Sequence, residues 1–276
     1  GLILLVFLLF LSSAGFQDRM TSGWYQQYFP NLNGSTIKDV TFLDSLTGFA
    51  VTNSNSLLQE YILKTTNGGD NWEINYTYNT PNSNWYFTNI DFINSNTGFA
   101  FSWTKMFKTT NAGSNWEIMT TNLYPEDISI INKDTMLAVK SNDLNGGVYR
   151  TIDGGYNWQS IWSGGSGGNP QKIYMVNKDL GFILDLSYVM NRTTDGGFSW
   201  SVISGEGFKD IMFSDSNTGW KVNNEIRKTT NGGVNWFLQQ TPNIINGFFI
   251  PSKLSVLNKD TVWMVGCYAV GGILLK

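Results

Sequence analysis

Five carboxylates, Glu60, Glu126, Asp143, Asp185 and Glu206, stand outside the turns that recur along this chain. Three tryptophans, Trp85, Trp103 and Trp162, stand outside its recurrent aromatic positions. Two carboxyl groups about 5 to 10 Å apart can divide the acid and base roles in cleaving a glycosidic bond. Exposed indole rings can stack on a sugar or seat a partner protein. Trp85, Trp103, Trp162, Asp185 and Glu206 are therefore the candidate binding residues, and no residue is assigned a catalytic role. The question passes to the elements that carry them, and to whether those elements bring any two carboxylates together.

Composition narrows the chemistry. The 276 residues include no histidine, so the commonest general base and metal ligand are both missing. Asn/Asp-rich turns such as NKD from Asn177 hold too few carboxylates for calcium, and hydrogen-bonded turns account for them; no metal and no cofactor is expected. A net charge of −3 with singly scattered lysine and arginine offers no basic stripe for nucleic acid. The single cysteine, Cys267, cannot make an internal disulfide. The sequons at Asn33, Asn75 and Asn191 read as chance in an Asn-rich chain.

The elements emerge from two alternating families of segments. One comprises DVTFLDSLTGFAV from Asp39, NIDFINSNTGFAF from Asn89, DISIINKDTMLAV from Asp127, KIYMVNKDLGFIL from Lys172, DIMFSDSNTGWKV from Asp210 and KLSVLNKDTVWMV from Lys253. In each the second and fourth residues are apolar (Val40 and Phe42, Ile90 and Phe92, and so on), the period of a strand with one buried face. The other comprises KTTNGGDNWEI from Lys64, KTTNAGSNWEI from Lys108, RTIDGGYNWQS from Arg150, RTTDGGFSWSV from Arg192 and KTTNGGVNWFL from Lys228. The unit recurs about every 43 residues, the length of a four-stranded propeller blade. With no helical periodicity, this predicts an all-β propeller of four-stranded antiparallel blades, about six visible, over residues 22–276; a solenoid is the alternative.

Within the second family the constant residues are Thr65, Asn67, Gly69 and Trp72, then Thr109, Asn111, Gly113 and Trp116, Thr151, Asp153, Gly155 and Trp158, Thr193, Asp195, Gly197 and Trp200, and Thr229, Asn231, Gly233 and Trp236. A short Asn or Asp side chain can hold a tight turn through amides two residues on, glycine accepts a positive φ, and the tryptophan buries a large ring between sheets. These are structural residues, a hairpin lock once per blade. They and the NTG-type turns share one face, which leaves function to the loops of the other face.

The pattern of Thr, Asn/Asp, Gly and Trp resembles the Asp-box, or bacterial neuraminidase repeat. Joined to the DxNTGWxV segments, it resembles the photosystem II stability/assembly factor family and its exported bacterial relatives. The resemblance implies a seven-bladed, non-catalytic propeller that binds a protein. The photosynthetic members' arginine-rich patch is not matched, because this chain has only Arg19, Arg150, Arg192 and Arg227. Sialidases, which share the Asp-box, need three arginines around the substrate carboxylate. Xyloglucan hydrolases of the Asp-box type need only a carboxylate pair, so a glycoside hydrolase stays open as the alternative to a protein- or glycan-binding scaffold.

At the N-terminus, GLILLVFLLFL followed by SSAG reads as a signal peptide over residues 1–14, cleaved after Ala14 and too short to span a bilayer. A secreted, periplasmic or cell-surface monomer without a membrane span is expected. SGWYQQYFPN from Ser22 reads as an outer strand, with Trp24 in the tryptophan position. YAVGGILLK stops where TTNGG should follow, so seven blades are expected of the intact protein.

Overall fold

The computed structural model describes residues 29–53, 56–80, 87–102, 105–123, 125–141, 146–163, 169–185, 189–204, 207–239, 250–268 and 271–275. Trp85, Trp103, Asp143 and Glu206, and the expected signal peptide and Trp24, lie outside them.

Alternating apolar runs broken by Asx-rich turns fold into six successive antiparallel sheets, each built from consecutive strands. The first blade holds β1 (Ile37–Phe42), β2 (Gly48–Thr52), β3 (Gln59–Thr65) and β4 (Glu73–Asn79). The second holds β5 (Phe87–Phe92), β6 (Gly98–Ser102), β7 (Lys105–Thr109) and β8 (Glu117–Met119). In the third are β9 (Asp127–Ile130), β10 (Met136–Lys140), β11 (Gly147–Thr151) and β12 (Gln159–Trp162). The fourth contains β13 (Pro170–Met175), β14 (Gly181–Asp185), β15 (Met190–Thr193) and β16 (Ser201–Ser204). The fifth contains β17 (Asp210–Phe213), β18 (Gly219–Val222), β19 (Ile226–Thr229) and β20 (Phe237–Leu238). Three strands form the sixth, β21 (Ile250–Asn258), β22 (Thr261–Tyr268) and β23 (Gly271–Leu275). The chain is an all-β propeller of four-stranded blades, as the repeat predicts.

The core lies between blades. Phe49, Val51 and Ile62 of the first blade pack on Phe87, Ile90, Ala100, Phe107 and Trp116 of the second, and equivalent clusters join each blade to the next. The motif tryptophans Trp116, Trp158, Trp200 and Trp236 thus pack on the blade before their own. In the first blade, Trp72 meets Phe29, Leu32 and Ile37. One expectation fails here: Val40 is 51% exposed, whereas Ile90 at the same register is 2% exposed. Alternation alone cannot say whether a sheet exists to bury a strand's apolar face, and here Phe42 keeps only an edge contact with Trp72, at a ring-centroid distance of 5.9 Å, and is 45% exposed.

The motif hairpins show how the repeat locks. In every copy the Thr hydroxyl donates to the Asn or Asp Oδ1 at 2.7 to 3.0 Å and accepts the amide of the second glycine at 2.9 to 3.1 Å. That Oδ1 reaches the amide four residues on, not two, so it clasps a wider loop than a simple Asx turn. The residue before the second glycine has positive φ in all five copies, including Ala112 at 55°. Its amide donates to a carbonyl of the β1–β2-type turn of the same blade, for example Gly68 to Leu46 at 2.8 Å. The second glycine is stricter for another reason: a Cβ on Gly155 would stand 1.9 Å from Met106 Cε of the preceding blade. The Asx residues of the NTG-type turns are spent likewise, Asp44 Oδ1 accepting the amides of Leu46 and Thr47 at 2.7 Å.

Candidate functional site

The β2–β3-type hairpins and the blade-to-blade loops form the face opposite these locks. In the first, second and fourth blades strand two ends there in a short polar side chain, and its role is shared. Thr52 Oγ1 accepts the Tyr61 amide at 2.9 Å, Ser102 Oγ accepts the Lys105 amide at 3.1 Å, and Asp185 Oδ1 accepts the Val189 amide at 2.9 Å. Asp185 is thus the fourth blade's version of a hairpin cap, buried to 8% exposure. The register carried that signal, since Thr52, Ser102 and Asp185 all lie four residues after the glycine that opens the strand. Trp162, at the end of β12, is half-buried and tilts against Trp200 at a centroid separation of 6.4 Å.

The other described carboxylates are held apart. Glu126 accepts a short hydrogen bond from the Ser141 hydroxyl in the third blade. Glu60, in β3 of the first blade, has no exposed surface. It lies opposite Tyr78 of β4, and neither of its oxygens makes a well-formed hydrogen bond. Burial pushes its carboxyl up to about 8, although the Thr80 hydroxyl and the Phe87 amide favour the charged form. Glu60, Glu126 and Asp185 thus occupy three different blades, and each is sealed or engaged locally.

In the fifth blade this face carries a recess of about 210 Å³ lined by Gly207, Lys221, Asn223, Asn224, Glu225 and Arg227. Lys221 is buried where the other blades have Ala50, Ala100, Ala138 and Ile183, and its Nζ lies 5.4 Å from the Trp236 ring centroid. Arg227 pairs with Glu225. A lone lysine in an apolar strand was the available sequence signal, and the repeat alignment hid it.

A larger cavity of about 960 Å³ runs along the axis, lined by residues of all six inner strands, among them Asp39, Asp91, Ile128, Tyr174, Asp210 and Lys253. Inner strands are sheet edges, and their outward amides need acceptors. Asp39 Oδ2 takes the Ile90 amide at 3.0 Å, Asp127 Oδ2 the Ile173 amide at 2.9 Å, and Asp210 Oδ2 the Leu254 amide at 2.8 Å. Tyr174 Oη accepts the Phe213 amide at 3.1 Å, and Lys172 Nζ donates to the Lys209 carbonyl at 2.6 Å. Burial raises Asp39 and Asp91 and lifts Asp127 to about 6, while it lowers Lys172. The first residue of the segments from Asp39, Asp127, Lys172 and Asp210 is therefore a blade-to-blade tie, a role that reading each segment as an isolated strand cannot show.

On the lock face, Ile152, Tyr156, Phe198 and Val234 project into solvent from the motif turns of blades three to five. Lys108 lies 5.5 Å from the Tyr156 ring and Arg150 lies 5.4 Å from the Phe198 ring, each reaching across a blade boundary.

The family model described as photosynthesis system II assembly factor YCF48 matches residues 17–171, more than half of the 276. The chain belongs to the YCF48 family. Among solved structures, YCF48 bound to D1 peptide is similar with a TM-score of 0.52 and 18% identity, over 90% of this chain and 94% of that one. YCF48 from Cyanidioschyzon merolae gives a TM-score of 0.46 at 15% identity, over 90% and 97% of the two chains. The GH74 xyloglucanase from Xanthomonas campestris gives 0.54 at 10% identity, over 82% of this chain but 41% of that enzyme. At such identities the two structures with TM-scores of 0.52 and 0.54 share the propeller fold with this YCF48-family chain, and sites must be read from its own residues. No curated protein matches it in sequence.

Proposed function

We propose that the chain is an exported, non-catalytic scaffold that binds a protein partner, or a glycan, through the face opposite the motif hairpins. The observation that carries this reading is the dispersal of Glu60, Glu126 and Asp185 over three blades, beside a recess of mixed charge at Lys221, Glu225 and Arg227. Rigid blades that present separated charges suit a partner's surface better than bond cleavage. Family membership supports the reading, as does the D1 peptide bound to a YCF48 of the same fold. The proposal keeps the sequence candidates Trp85, Trp103, Trp162, Asp185 and Glu206 as its binding residues.

The test is a panel of peptides and polysaccharides offered to the full chain and scored for both binding and cleavage. Binding without cleavage is expected, weakened roughly tenfold or more by Trp85→Ala, Trp103→Ala or Arg227→Ala, the loss of about 1.4 kcal/mol that marks an anchor. Phe198→Ser on the lock face leaves binding unchanged. Polysaccharide cleavage abolished by Glu206→Gln or Asp185→Asn would instead establish the glycoside hydrolase.

A further inference from the structure

Three Asn-Gly pairs lie within the described residues, and two of them are locked. In the motif hairpins the Gly68 amide donates to the Leu46 carbonyl at 2.8 Å and the Gly232 amide to the Asn217 carbonyl at 2.9 Å. Asn67 Oδ1 receives Thr65 Oγ1 at 2.9 Å and the Asn71 amide at 3.0 Å, and Asn231 Oδ1 is held in the same way. Asn33–Gly34 is different. The Ser35 amide donates to the Leu32 carbonyl at 3.0 Å, closing a turn whose central residues have φ of 51° and 88°, the type I′ pattern. Asn33 is exposed, and its side chain makes one hydrogen bond, from Nδ2 to Tyr61 Oη at 3.1 Å. Nothing lies within 4 Å of where a Gly34 Cβ would stand.

We infer that Asn33 is a site of spontaneous deamidation, and that the reaction loosens the segment leading into the first blade. The Gly34 nitrogen, giving its proton to solvent, attacks Asn33 Cγ. The new C–N bond closes a succinimide as the Cγ–Nδ2 bond breaks, and Nδ2 leaves as ammonia after taking a proton from water. Water then opens the ring at either carbonyl, leaving aspartate or isoaspartate. Neither product has a donor for Tyr61, whose hydroxyl donates to Gln59 Oε1 at 2.8 Å. The tie lost is one that holds Leu32 on Tyr61 and Phe29 on Trp72, whose ring centroids are 5.2 Å apart.

The full chain is incubated in mildly alkaline buffer, and peptides are mapped over time for the mass gained when an amide becomes an acid. Conversion at Asn33 is expected to be at least about tenfold faster than at Asn67 or Asn231, since the locked pairs react only after local opening and about 1.4 kcal/mol of opening free energy gives that factor. In denaturant the three rates converge, and Gly34→Ala slows conversion at position 33 alone. Asn33→Asp, which mimics the product, raises amide exchange at Ser35 and Thr36 while the motif hairpins stay protected. Equal folded-state rates at the three sites, or no conversion at Asn33, overturn the site; unchanged exchange in Asn33→Asp overturns the loosening.

Discussion

Replacing Glu60 with glutamine should flatten the pH dependence of stability above neutrality. Glu60 is fully buried without a well-formed hydrogen bond, and its carboxyl rises from 4.5 to about 8. Between those values the unfolded chain has released this proton while the folded chain still holds it. Stability from this group is therefore complete below 4.5 and is lost as pH rises through 8, at about 1.4 kcal/mol per pH unit. Asp39 and Asp91 are also raised and Asp127 is lifted to about 6, but all three are common to wild type and variant, so the difference between the two proteins isolates Glu60, which accounts for about 2 to 3 kcal/mol between pH 6 and 8. Glutamine cannot ionise, yet its amide meets the same lack of partners and gives no advantage at pH 5. Thermal and urea melts of both proteins from pH 5 to 9 read the difference. The gap between variant and wild type should open in the variant's favour with rising pH and reach roughly 5 to 10 °C in Tm. Parallel profiles would refute the reasoning, because they would mean that Glu60 ionises as freely in the folded chain as in the unfolded one.

Other perturbations follow from the ties between blades. Asp127→Ala orphans the Ile173 amide and should lower stability by about 1 to 3 kcal/mol in urea melts, whereas Asp127→Asn, which keeps an acceptor, recovers most of it. Gly233→Ala drives a Cβ into the rigid Phe182 ring, 2.4 Å away, at a φ of 79° and should cost several kcal/mol, against about 1 kcal/mol for Gly34→Ala, where φ alone is unfavourable; denaturation midpoints separate the two. Val40→Lys should stay within about 0.5 kcal/mol of wild type, while Ile90→Lys at the same register should prevent folding, as judged by near-ultraviolet dichroism.

The strands and the motif hairpins were legible because both are written in local periodicity: Ile90 and Phe92, or Thr109, Asn111 and Gly113, announce themselves within a dozen residues. What was hidden depends on the neighbouring blade. Asp39 looks like any polar residue opening a strand until the Ile90 amide is placed beside it. Glu60 looked like a loop carboxylate because a charge is unexpected in a buried strand, and Asp185 looked free because its partner is a backbone amide. Val40 erred in the opposite sense, since alternation marks an apolar face without supplying its cover. Two of the three sequons resolve on contact: Asn75 accepts the Trp116 indole and Asn191 is buried in β15.

The ties from Asp39, Asp127 and Asp210 to the next blade's amides make the molecule a chain of nearest-neighbour couplings. Mechanical load applied between distant blades would then fall on the weakest junction in series. The step from the fourth blade is tied by other groups, since Lys172 stands at the position held elsewhere by Asp39, Asp127 and Asp210 and the crossing bonds run from Lys172 to the Lys209 carbonyl and from the Phe213 amide to Tyr174. The same modularity suggests that blades three and four, which share arginine, aspartate and glycine at every motif position, can be exchanged as interchangeable cassettes.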